Sequence, residues 1–113
     1  MDKIVEVIAA LGVPGLVLLV AMAFTGWAGA AAITTALAVL GGPLGMLGGI
    51  GVLGLLGLIT KGLTDYGFER LFQSTVAALR KQGKSKEEIA REIDSYPISY
   101  ELKLKVKDFL RRL

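Results

Sequence analysis

Hydrophobic and polar positions are sorted along this chain rather than interleaved. From Val7 to Thr60 no residue carries a formal charge, a run of 54 residues, whereas from Lys61 onward apolar and charged positions alternate at helical spacing. Nothing in the uncharged run alternates with period two, which argues against barrel strands. In an apolar surrounding the backbone must then be satisfied inside helices. Proline and glycine punctuate the run at LGVPG, Leu11 to Gly15, and at GGP, Gly41 to Pro43, where a helix should break or begin.

The pattern predicts a short interfacial helix over Asp2 to Leu11, a long or tilted segment from Val13 to about Leu40, a turn at GGP, and a return over Leu44 to Thr60. A hydrocarbon core about 30 Å thick takes roughly 20 helical residues to cross. The run therefore supplies two comfortable spans or three cramped ones. The hairpin is preferred because its turn is uncharged and because it puts Lys3 and the basic tail on one side. A three-span layout would end its first span near Phe24 and turn at Thr25 to Trp27, with the indole at the headgroups. The expected fold is thus an all-α integral membrane protein: a Gly/Ala-rich transmembrane helical hairpin, or three spans in the other layout, followed by a small C-terminal helical module. Residues 1–12 form the interfacial helix, 13–62 the transmembrane region with its break at 41–43, and 63–113 a cytoplasmic three-helix amphipathic tail.

Local signals in the tail are clear. Phe68, Leu71, Phe72, Val76 and Leu79 recur at helical spacing between Thr64 and Gln82, and Gly83 stands where a C-terminal cap belongs. Ser85 with Glu88 makes a capping box for a helix that buries Ile89 and Ile93 and stops before Pro97. Ser99 caps a last helix whose Leu102, Val106, Phe109, Leu110 and Leu113 share a face. Three short helices close only a modest core, so the tail is expected to lean on a partner subunit or on the membrane surface.

The glycines suggest how the apolar segments associate. Between helices in lipid, close approach replaces the hydrophobic force, and small residues permit it. Gly41, Gly45 and Gly49 form one such row, and Ala28, Ala32 and Ala36 a matching row on the preceding segment. Gly45, Gly48, Gly51, Gly54 and Gly57 recur every third position, and residues three apart on a helix drift around its circumference. Neighbours on at least two sides follow, which for a hairpin means other copies of the chain. The uncharged run offers few hydrogen-bonding side chains for a pore: Thr25, Thr34, Thr35 and Thr60, with the Trp27 indole.

Composition narrows the chemistry. The chain has neither cysteine nor histidine, which removes disulfides, thiol nucleophiles and thiolate or imidazole metal sites. A secretory signal is disfavoured because MDKIVE carries at least as many acids as bases and the apolar run continues far beyond any cleavage site. No carboxylate lies within the run, no histidine activates Ser74, Ser85, Ser95 or Ser99, and the order ITKG reverses that of a phosphate loop. No enzyme, cofactor or metal is expected. From Lys61 onward there are twelve bases and eight acids, with Lys103, Lys105, Lys107, Arg111 and Arg112 on the last helix against Glu101 and Asp108. That helix is a candidate for contact with anionic lipid or with a partner. GKSKEEIAREI, Gly83 to Ile93, resembles the opening of a helix-turn-helix pair. The capping box accounts for most of it, and the following helix carries no Asn or Gln to read bases. Nucleic acid is not the expected partner.

Two function classes remain. In one, a homo-oligomer packed through glycine faces permeabilises a membrane, as a small toxin, holin or defence effector would. In the other, a non-conducting anchor holds the tail at the bilayer while Tyr96, Pro97, Tyr100 and the last helix recruit a protein partner. The expected location is a bacterial inner membrane with the tail in the cytoplasm.

Overall fold

The computed structural model describes residues 2–25, 30–40 and 51–113. Among the described residues every regular element is a helix: α1 (Asp2–Ala10), α2 (Val13–Thr25), α3 (Ala30–Leu40), α4 (Val52–Tyr66), α5 (Phe68–Lys81), α6 (Lys86–Asp94) and α7 (Tyr100–Arg111). The break expected at 41–43 and the Trp27 turn lie outside these residues.

The architecture is one helix inside six. α2 is apolar along its whole length, and Leu16, Val17, Leu18, Leu19, Val20, Ala21 and Met22 have no accessible surface. A helix that is hydrophobic all round must be enclosed on every side. Here each of the six other described helices touches it. The amphipathic helices turn their apolar stripes inward: Leu71, Phe72, Val76 and Leu79 of α5, Ile89 and Ile93 of α6, Leu102, Val106 and Leu110 of α7. The tail therefore closes its core on α2, the segment expected to lie in lipid.

The helix boundaries follow local chemistry. At the end of α5, Gly83 has φ 99°; its N–H donates to Arg80 O at 3.0 Å while Lys84 N–H donates to Leu79 O at 3.2 Å. That is the paired arrangement of a Schellman cap. Both halves of the Ser85–Glu88 capping box are present, and the Ser99 hydroxyl accepts from Leu102 N–H.

Two expectations about segment boundaries meet a different arrangement. The stretch expected to run unbroken from Val13 to about Leu40 is divided into α2 and α3, which lie against each other. The chain also continues helically across residues 62 and 63, and the α4–α5 junction falls instead at Gly67, φ 85° and ψ 159°. That region is open essentially to glycine alone.

Among the described residues no single helix is long and apolar enough to cross a membrane. Asp2–Ala10 and Val13–Phe24 pass that test together, bent by 117° at the break between them.

Candidate functional site

The bend between α1 and α2 is built from two glycines with different tasks. Gly12 adopts φ 76° and its N–H donates to Ala9 O at 2.9 Å, so it closes α1 in the left-handed conformation that glycine takes at least cost. Gly15, one turn into α2, lies where any Cβ would stand 2.2 Å from the Ile8 carbonyl oxygen. The two helices thus cross backbone to backbone. A third close approach is at Gly62 of α4, where a Cβ would meet Leu71 at 2.9 Å and Ile4 at 3.1 Å.

The glycines singled out by period are placed otherwise. Gly51 is the N-cap of α4 in extended conformation, Gly54 is exposed, and a Cβ on Gly57 would meet nothing within 4 Å. Gly54 and Gly57 therefore lie on the outer side of α4, beside Leu53, which is 71% exposed. Ala36 is fully buried. Ala28, Gly41, Gly45, Gly48 and Gly49 lie outside the described residues, and Thr25 and Ala32 are placed only as backbone positions of α2 and α3.

Among the described side chains, Thr60 does not share a lining with Thr34 and Thr35. Thr60 donates its hydroxyl to Leu56 O of its own helix at 2.8 Å. Thr34 and Thr35 border an open cavity of about 360 Å³ between α3 and the α6–α7 turn, with Ile98, Ser99 and Leu102. A threonine outside the expected set is the unusual one. Thr75 of α5 is wholly buried, and its hydroxyl has no hydrogen-bond partner among the described residues.

At the other end of α2 all four phenylalanines of the chain meet. Phe24 stacks on Phe109 of α7 at 5.3 Å between ring centroids and meets Phe68 of α5 edge-on at 5.3 Å. Phe68 contacts Phe109 at 5.0 Å and Phe72 at 5.4 Å. Such pairs contribute about 0.5–1.5 kcal/mol each beyond the area they bury, so the cluster clasps the C-terminal end of α2 between α5 and α7. Phe24 is nonetheless 44% exposed, on a helix whose middle is sealed.

The four cations of α7 and Arg112 at its C-cap divide by partner. Lys103 Nζ donates to the Asp94 carbonyl at 2.9 Å and Lys107 pairs with the Asp94 carboxylate at 2.8 Å. Arg111 and Arg112 share Asp108 at 2.9 and 2.8 Å. Lys105 has no oxygen partner among the described residues; its ammonium sits 4.9 Å over the Phe24 ring. Nothing in the sequence links Phe24 to Lys105, which are 81 positions apart, so this pairing could be found only in three dimensions.

A polar brace holds α6. Glu92 accepts from Lys84 Nζ at 2.8 Å and from the Tyr96 hydroxyl. Partial burial works to raise the Glu92 carboxyl, but these two hydrogen bonds outweigh it and the group lies below the ordinary glutamate range. The same contact, together with burial as the larger cause, pushes the Tyr96 phenol up. Among the described residues no cluster of acidic side chains is arranged to hold a metal.

Comparison with protein-family models, with curated proteins and with solved structures returns no match.

Proposed function

We propose that this chain is a membrane-permeabilising module that keeps its most apolar helix sheltered inside its own amphipathic helices and forms a homo-oligomer of toxin, holin or defence-effector type in the bilayer. The observation that carries the reading is α2: seven consecutive residues without accessible surface, enclosed by the amphipathic α1, α5, α6 and α7 together with the more apolar α3 and α4. An all-apolar helix is satisfied equally by a protein shell and by lipid. The enclosing helices can exchange α2 for a bilayer surface against the same apolar stripes.

The hinge for that exchange is the Gly12 bend. If α1 and α2 open into one helix over Asp2 to Phe24, kinked at Pro14 for want of its N–H, the uncharged part from Val7 to Phe24 is about 27 Å long, near the short end of what crosses a hydrocarbon core. Charged residues of that helix, Asp2, Lys3 and Glu6, all lie near one end. The outward glycines of α4 leave a close-packing surface beside Leu53 for a second copy.

Dye release from liposomes, with oligomer mass recorded on the same samples, tests the proposal. We expect release by the wild type, and loss of both release and assembly in Gly54→Leu/Gly57→Leu, whose new side chains point away from the monomer's core. Tight liposomes around a stably bound protein would instead favour a non-conducting anchor.

A further inference from the structure

We propose that the outer face of α7, with Lys105 and Leu104 at its centre and Phe24 of α2 beside them, is the surface on which the protein meets an anionic bilayer. The inference rests on the membrane-active reading above and names the face and the lipid chemistry. Leu104 is 45% exposed and Phe24 44%, so two large apolar side chains stand next to an ammonium group in solvent. That combination suits the headgroup boundary, where apolar groups enter and cations meet lipid phosphate.

Charge on this face is already sorted for such a contact. Asp108 is occupied by Arg111 and Arg112. Lys105 has no carboxylate partner among the described residues and rests on the Phe24 ring, a contact it can keep while its remaining N–H groups turn to a phosphate. Glu101 lies on the same face and subtracts one charge. Docking here brings the Phe24 end of α2 to the bilayer first.

The experiment measures partitioning of the full chain onto vesicles of phosphatidylcholine alone and of phosphatidylcholine mixed with phosphatidylglycerol, with leakage scored separately. The wild type should prefer the anionic vesicles. Lys105→Gln should lower that partitioning about fivefold, the worth of one cation at an anionic surface, and Lys105→Arg should restore it. Glu101→Gln should strengthen it, and Lys81→Gln, on the exposed side of α5, should change it less than about twofold. Equal losses in Lys105→Gln and Lys81→Gln, or equal wild-type partitioning onto both vesicles, would overturn the proposal. Wild-type binding with the predicted Lys105 dependence but without leakage would keep this surface and remove the permeabilising function. Leakage with binding indifferent to Lys105 would do the reverse.

Discussion

At the scale of single residues, the glycines separate by what stands next to them. A Cβ on Gly15 would strike the Ile8 carbonyl at 2.2 Å, and neither backbone can yield without parting α1 from α2. Gly15→Ala should therefore cost about 3 kcal/mol or more in urea unfolding. Gly57 has open space around it in the middle of α4, so Gly57→Ala should stabilise the folded chain by about 0.5–1 kcal/mol. Thr75 offers an opposite case to most core changes. Its buried hydroxyl is unpartnered among the described residues, and Thr75→Val should raise stability by about 1–2 kcal/mol, since a buried polar group without a hydrogen bond is a net cost. Glu92 gives a pH dependence of definite sign. Its folded carboxyl lies below the ordinary value, so its contribution is complete above about pH 4.3 and is lost as pH falls through the folded value. Glu92→Gln should flatten the melting temperature of the chain over that acidic window.

At the scale of elements, legibility follows how local each signal is. The Ser85–Glu88 box, the Ser99 cap and the Gly83 terminus each depend on residues within a few positions, and all three are legible in the sequence alone. The α4–α5 break at Gly67 is not, because Tyr66, Gly67 and Phe68 lie in an uninterrupted helical pattern and only the backbone angles mark the junction. The outward placement of Gly54 and Gly57 is likewise invisible there, since period three describes spacing and not neighbours. Gly12 carries the prediction at this scale. Alanine disfavours its left-handed conformation by about 1–2 kcal/mol and favours a continuous helix. Gly12→Ala should destabilise the bent form in urea while increasing dye release per bound molecule, and a variant that unfolds more readily without releasing more dye would speak against straightening at this bend.

At the scale of the whole molecule, the fold class is legible only at its coarsest, as all-helical. An uncharged run of Leu, Val and Ala satisfies lipid and protein surroundings alike, so composition does not say which surrounds α2. The structure places the tail around α2, and the Cα radius of gyration of 12.5 Å matches the value of about 13 Å for a compact chain of this length. Under the proposed function, the sheltered helix is both the core on which the six other described helices close and the segment that would enter lipid. Those two roles exclude each other in any one molecule, which makes the exchange between them directly observable.

The measurement that bears on it most directly is photolabelling from within the bilayer, using a phospholipid with a diazirine near the end of its acyl chain and mapping the labelled peptides by mass spectrometry. Leu16 to Met22 have no accessible surface in the folded chain, so they can be labelled only after leaving their shell. We expect label within Leu16–Met22 on liposomes that leak. Label confined to Phe24, Leu104 and the rest of the outer surface, with α2 unmarked while the liposomes leak, would contradict the exchange of a protein shell for lipid.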